Sequence, residues 1–485
     1  MKILVIGLDG ATPEVLFGDE RLDNFRRLME AGCYGRLETV IPPHRIPAWM
    51  CMATGQDPGS LGTWGLQKPT DSSPNNLEPV TSKPISEPSI WNQIAREGKR
   101  TCLIGVPLWD PPQEGKGVWV SCPLPHKGIY TYPASVNEQI RKLIGSYPAD
   151  VKHSRFYKKD QLLEEIYTMS RKHFQVVRYF LQNTDWDYFQ WVEIGPDRLQ
   201  HGFWRFHDPQ PPLHEPGNPY QEVIRDYYLY LDHELGAILD LLSEDTLILV
   251  ISCYGVKRLE GGFCLNEWLV REGLLVLNEY PQEITAFNQL SVNWEKTLVC
   301  GEGGYAAGLF FNVKGREPRG TLSEANYEKF RDEIRRKLKA ISNDQGKSLE
   351  AVVLKPEEIY TKVRPGVPDL LVQFGGFSWR VVDSVGHQTL YLQGNDPHLD
   401  DCNHGQFGSF ILVAPDNPLQ GEIEKVRLPD MAPTLLELGG YSVPSSMQGK
   451  SLRANKVSNA ITDEGFSAEE EEIIRERLSG LGYIG

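Results

Sequence analysis

The sequence of 485 residues has no apolar run approaching the roughly 20 residues that span a bilayer. Nor does its N-terminus carry a basic leader or a cleavage site before strand-like patterning begins. Both lacks lead to the expectation of a cytoplasmic protein with no membrane contact. Positive charge is in short supply as well, because 50 Lys and Arg face 65 Asp and Glu, a formal charge of −15. Nucleic-acid backbones and anionic membranes are bound by clustered Lys and Arg, so no broad surface of that kind is expected, and any phosphate site must be local. Cysteine is sparse too. Eight cysteines lie singly along the chain without a CxxC pair, which argues against a disulfide framework or zinc ribbon and for buried free thiols.

What is present is an alternation of two periods. An apolar run at Ile3 to Gly7 reads as a strand, and Leu22, Phe25, Leu28 and Met29 recur at helical spacing before Gly32, a plausible helix stop. Helical faces over 89–97, 160–182 and 220–242 alternate with β-type runs at 101–106 and 187–194. The segment TLILVIS at 246–252 is apolar and β-branched throughout, as a strand buried on both faces should be. The pattern predicts an α/β fold: one large, mostly parallel central sheet flanked by helices on both faces. Residues 1–260 form its first part, with loop or lid segments at 67–88 and 107–150. A smaller α+β cap insertion is expected at 261–347, and the core resumes over 348–455 with sheet strands at 370–374 and 410–414. Residues 456–485 read as a helical tail docking on the core, opened by a capping box of Ser467 and Glu470.

The stretch TVIPPHRIPAWMCMATGQDPG, residues 39–59, carries the chemistry. Proline suits the first position of a helix, so a helix is expected to start near Pro47. The first turn of a helix has unpaired N–H groups and the positive end of the macrodipole, so an anion beside Arg45 would be stabilised. Phosphate meets that description, with His44 lining the same cleft. The strand at the N-terminus delivers Asp9.

The wording of this stretch resembles the type I phosphodiesterase/nucleotide pyrophosphatase branch of the alkaline phosphatase superfamily, whose loop reads PPxTxPAW followed by TG and PG. Pro42, Pro43, Pro47, Ala48, Trp49, Thr54, Gly55, Pro58 and Gly59 match it. Arg45 stands where the family keeps its threonine nucleophile, and a guanidinium cannot attack phosphorus. The phrases LNEWL, WEKT, NVKGREPRG, PDLLV, MAPTLLELGG and LSGLGYIG are similar to the same family, so the resemblance covers nearly the whole chain. It implies an alkaline-phosphatase-like core carrying a cap.

The resemblance further implies two divalent metals, usually zinc, held by loops at the strand C-termini. For one of them Asp197, His201 and His404 match, the first two within GPDRLQHGFW. An Asp–x₃–His spacing puts both side chains on one helical face, and a third imidazole completes a three-ligand set with one open position. For the other, the family needs an Asp, the nucleophile and an Asp-His pair after the central strand. Here Asp9 is kept, but Cys253 and Tyr254 fill the pair. One carboxylate and one thiolate hold a metal poorly, and tyrosine replaces histidine badly. The second site therefore reads as degenerate, leaving one divalent metal, Zn or Mn. Arg45 would then supply a fixed positive charge in the lost metal's place and pair with Asp9, which otherwise has no partner.

Plainer readings stand beside these. Asp197, His201 and His404 can be an ordinary carboxylate and two hydrogen-bonded histidines, Arg45 a surface arginine, and Cys253 a small core thiol rather than a nucleophile with a lowered pKa. Two functions follow from the resemblance. One is a degenerate member that binds a phosphorylated small molecule or nucleotide. The other is a hydrolase of phosphate mono- or diesters that relies on the single metal. Neither the oligomeric state nor a protein partner is legible.

Overall fold

The computed structural model describes residues 1–65, 67–69, 77–79, 88–107, 116–121, 130–151, 158–210, 214, 216–394, 396, 399–415 and 419–453. Most of the expected 67–88 segment and the capping box and tail at 456–485 lie outside the described residues.

A ten-stranded mixed sheet runs through the molecule in the order Gly421–Glu422, Cys33–Glu38, Phe407–Val413, Thr246–Ser252, Lys2–Leu8, Tyr188–Glu193, Thr101–Val106, Gly117–Ser121, Thr131–Tyr132, with Val426–Arg427 also on Cys33–Glu38. Lys2–Leu8 is central and pairs in parallel with both neighbours, as does Thr101–Val106. Phe407–Val413 is the main exception, antiparallel to the strands on each side of it. Alternate residues of the central strand feed opposite cores: Ile3 and Val5 join one buried cluster, Leu4 and Ile6 the other. This two-sided burial explains why Thr246–Ser252 has no exposed residue. Helices Lys159–Asn183, Gly195–His207 and Val223–Leu239 cover the second face, contributing Phe174, Leu199 and Leu231.

One expected helix start shifts, and one expected helix stop is kept with a different backbone. The helix after Pro43 is Arg45–Thr54, with His44 as its N-cap, so Pro47 is its third residue and Arg45 lies in the first turn. Proline lacks only a donor that a first turn leaves unpaired anyway, and it is therefore tolerated there. Gly32 does follow helix Asp23–Ala31, but its backbone is extended (φ −148°) rather than left-handed. A Cβ at Gly32 would lie 2.1 Å from the Leu412 carbonyl oxygen, so close packing against Phe407–Val413 demands the glycine.

A smaller antiparallel sheet is built from Val299–Glu302, Ala307–Phe311, Leu370–Gln373 and Val352–Leu354, with its own core including Leu309, Ile334, Leu338 and Leu370. Ile334 and Leu338 come from helix Tyr327–Lys339. The run at 370–374, expected in the main sheet, belongs here instead. A short apolar run reads alike in either sheet, and its partners are distant in sequence. Gly261–Cys264 sits in a third sheet between Trp379–Val382 and Tyr391–Gln393.

Candidate functional site

Topology brings the chemistry to one edge. Lys2–Leu8, Tyr188–Glu193 and Thr246–Ser252 are mutually parallel, so the residues after them, Asp9, Asp197 and the pair Cys253 and Tyr254, emerge at the same carboxyl edge. Cys33–Glu38 points the same way, being antiparallel to Phe407–Val413, which is itself antiparallel to Thr246–Ser252. It therefore leads Arg45 to that edge. His404 arrives from the other direction, on the short strand Cys402–His404 just before Phe407–Val413 begins.

Asp9 is fully buried, and one carboxylate oxygen, Oδ2, is held by Arg45 Nε. The other, Oδ1, accepts from Trp49 Nε1 at 2.7 Å. Arg45 and Trp49 are four apart, hence on one face of helix Arg45–Thr54. The indole lies across Gly7, where a Cβ would come within 2.5 Å of it. Gly10, at φ +73°, turns the Asp9 loop onto helix Gly195–His207: a Cβ there would sit 3.2 Å from the Asp197 Cα, and the Gly10 carbonyl accepts from Gln200 Nε2 at 2.7 Å. Burial raises the Asp9 pKa above its ordinary value, and Asp197 adds to this. Arg45 and Trp49 oppose the rise without cancelling it.

Asp197 lies in the first turn of its helix, where the dipole favours a carboxylate, and its Oδ2 accepts from Arg198 Nη1 at 2.8 Å. Its Oδ1 faces His201 Nε2 at 3.5 Å and His404 Nε2 at 3.3 Å. All three side chains are buried, and their donor atoms lie within 4.8 Å of one another. His404 Nδ1 donates to the Pro43 carbonyl at 2.6 Å, which fixes the tautomer and leaves the Nε2 lone pair directed at Asp197. Neither His201 Nε2 nor His404 Nε2 has a hydrogen-bond partner by geometry. Two orphaned imidazole nitrogens converging on a carboxylate oxygen fit a single divalent ion. Burial pushes the His404 pKa down to about 4 against the pull of Asp197. Burial acts the same way on His201, but Cys402, Tyr305 and Asp197 outweigh it and raise that histidine. For Asp197 burial is overcome by the two histidines and Arg198, which hold it well below the carboxylate range.

The structure thus brings together two groups: Asp9 with Arg45, and Asp197 with His201 and His404. Cys253 is fully buried in the main core, its thiol pushed well above the ordinary value by burial and then by Asp9 and Cys51. It has neither the exposure nor the thiolate character of a nucleophile. His44 packs its ring against Trp64 and Tyr305, and burial drives its pKa down to about 3, so it is neutral. Several contributors went unmarked in the sequence. Trp49 was readable, because it is four residues after Arg45. Tyr305 and Arg380 were not, since they come from the region of the smaller sheets and reach the site only through long-range packing: Tyr305 stacks on His404 with ring centroids 3.4 Å apart, and the Arg380 guanidinium lies 4.1 Å from the Tyr305 ring.

A family model described as type I phosphodiesterase / nucleotide pyrophosphatase matches residues 3–401. Among solved structures, murine ectonucleotide pyrophosphatase / phosphodiesterase 5 in complex with AMP is similar over 92% of this chain and 96% of that one, at 15% identity and TM-score 0.52. The human form is similar at 14% identity over 93% and 97% of the two chains, TM-score 0.52. Phosphonoacetate hydrolase from Sinorhizobium meliloti, in complex with phosphonoformate, covers 89% of this chain and 94% of its own at 17% identity, TM-score 0.55. Identities this low establish the shared fold. No curated relative matches the sequence.

Proposed function

Because the chain belongs to the type I phosphodiesterase / nucleotide pyrophosphatase family, we propose that it binds a phosphorylated small molecule or nucleotide beside Arg45 and acts by recognition rather than turnover. One observation carries this reading. At the place the family gives to a threonine hydroxyl, the helix Arg45–Thr54 presents a guanidinium engaged with Asp9. That side chain attracts a phosphoryl oxygen and cannot attack phosphorus.

Arg45 is 16% exposed at its side chain, so a ligand reaches it from the cleft, where the first-turn N–H groups of its helix add positive potential. Arg198 keeps Asp197 ionised and is itself braced by Asp150 at 2.8 and 2.7 Å. Asp197, His201 and His404 would hold at most one divalent ion, Zn or Mn, which when bound supplies a Lewis acid for a phosphoryl oxygen. Asp9, Cys253 and Tyr254 complete no second set, since Asp9 is committed to Arg45 and Trp49. AMP and phosphonoformate in the similar structures are ligands of the proposed class. A cytoplasmic location is in keeping with the seven described cysteines being buried thiols. Among the described residues no helix is long and apolar enough to cross a membrane. The second reading, hydrolysis with that one ion, is favoured by the intact three-donor group.

Elemental analysis after zinc dialysis, together with calorimetric titration of AMP, tests the proposal. No more than one equivalent of zinc, lost in His201→Ala, and AMP binding lost in Arg45→Ala are expected. Two tightly held equivalents, or AMP binding indifferent to Arg45→Ala, would overturn it.

A further inference from the structure

Tyr254 stands where the family has a histidine ligand, yet the structure gives it work at the donor group that remains. Its ring is fully buried and lies nearly parallel to His404, with centroids 4.0 Å apart and planes at 16°. Tyr305 is also nearly parallel to His404, at 3.4 Å and 15°. Two rings this close and this parallel to a third must occupy its opposite faces, so His404 is clamped between two phenols. Rotation within that plane is stopped by the Nδ1 hydrogen bond to Pro43.

The Tyr254 hydroxyl does something further. It donates to Asp197 Oδ1 at 3.2 Å, the same oxygen that His201 Nε2 and His404 Nε2 face. Tyr254 therefore touches two of the three donors, one through its ring and one through its hydroxyl. Its own backbone is pinned, because Ser252 Oγ donates to the Tyr254 carbonyl at 2.6 Å. Tyr305, by contrast, is half-buried and comes from the connection between Val299–Glu302 and Ala307–Phe311, outside the main sheet.

We propose that Tyr254 is the positioning residue of the Asp197, His201 and His404 group, holding the His404 ring and the Asp197 carboxylate in register for one divalent ion. The proposal rests on the one-ion reading of that group. Outer partners of metal ligands commonly alter affinity by about 10- to 100-fold when removed. In this light the substitution that forfeits a second ligand set also stabilises the geometry of the first.

Zinc affinity, measured by competition with a chromogenic chelator, and the visible absorption spectrum of the cobalt-substituted protein test it in wild type, Tyr254→Phe and Tyr254→Leu. The phenylalanine keeps the stacked ring and fills the same space, so the variant folds. A loss of about 3- to 10-fold in zinc affinity is expected for Tyr254→Phe, with a changed cobalt spectrum, and about 10- to 100-fold for Tyr254→Leu. A general loss of stability would lower the melting temperature of the metal-free variants without moving the cobalt spectrum. Wild-type affinity and an unchanged cobalt spectrum in Tyr254→Phe would overturn the positioning role while leaving the one-ion reading in place. Failure of the wild-type protein to bind zinc at all would overturn both.

Discussion

Replacing Arg45 by alanine removes the partner of a carboxylate that has no access to water. The Asp9 side chain is 0% exposed and that of Arg45 is 16% exposed. Without the guanidinium, Asp9 keeps its Trp49 N–H bond but has lost its counter-charge, and burial drives its pKa further up. The penalty has a ceiling, because the carboxyl can take up a proton. With an unfolded pKa near 4, protonation at about pH 7 costs about 1.4 kcal/mol for each of about three units, or about 4 kcal/mol. Partner removal from a buried pair costs about 3–5 kcal/mol. Since Arg45 is partly exposed and water can enter its place, about 3 kcal/mol is expected. The sign with pH follows. A group whose folded pKa is raised costs stability as pH climbs through that value, so the deficit of Arg45→Ala should be full near pH 7. It should shrink to about 0.5 kcal/mol near pH 4, where the unfolded chain also binds the proton. Urea unfolding followed by tryptophan fluorescence at both pH values measures this directly, and Arg45→Ala with Asp9→Asn should recover most of the loss. A deficit below about 1 kcal/mol at pH 7, or one that does not depend on pH, would refute the idea that Arg45 stands in for a lost positive charge.

Three further outcomes are expected. Arg45→Thr combined with Cys253→Asp and Tyr254→His rewrites the family's second ligand set, so zinc capacity by elemental analysis at saturating zinc should rise from one equivalent to two, with the ion at Asp197, His201 and His404 held more weakly than in the wild type because the Tyr254 ring and hydroxyl are gone. His173, whose ring nitrogens face the Glu193 carboxylate at 3.0 Å and the Pro148 carbonyl at 2.6 Å, has a raised pKa: burial pulls it down, but Glu193, Pro148 and Asp150 outweigh it. Its contribution to stability should be full below about pH 6.5 and fade as pH rises through the raised value, and His173→Gln should flatten that fall in thermal melts, with Tyr147, Ser170 and Tyr227 still packed or bonded around the pair. Native protein should leave Cys253 unlabelled by iodoacetamide, and Cys253→Ala should leave AMP affinity unchanged in calorimetry, since the thiol is fully buried and its pKa is raised well above the ordinary value.

Much of this arrangement was legible because it is local. The buried strand at 246–252 announced itself by composition, and the helical faces at 160–182 and 220–242 by period; the structure keeps the strand at Thr246–Ser252, extends the first helix to Lys159–Asn183 and trims the second to Val223–Leu239. The spacing of Asp197 and His201 already placed both on one face of a helix. What the sequence hid is what depends on distant partners. Residues 370–374 carry no mark saying which sheet they join, and Gly32, which caps its helix as expected, owes its lack of a side chain to close packing rather than to a left-handed turn. Tyr254 read as a ligand position emptied of its ligand, because a ring stacked on His404 and a hydroxyl bonded to Asp197 are invisible until the two loops meet. Tyr305 and Arg380 were silent for the same reason.

Recognition without turnover is tested most directly by hydrolysis of bis-nitrophenyl phosphate by the zinc-supplemented protein, followed by nitrophenolate release. The expected result is no metal-dependent release above the buffer rate, in wild type and in Arg45→Ala alike. Robust release that survives Arg45→Ala and disappears in His404→Ala would contradict it and establish one-ion hydrolysis instead.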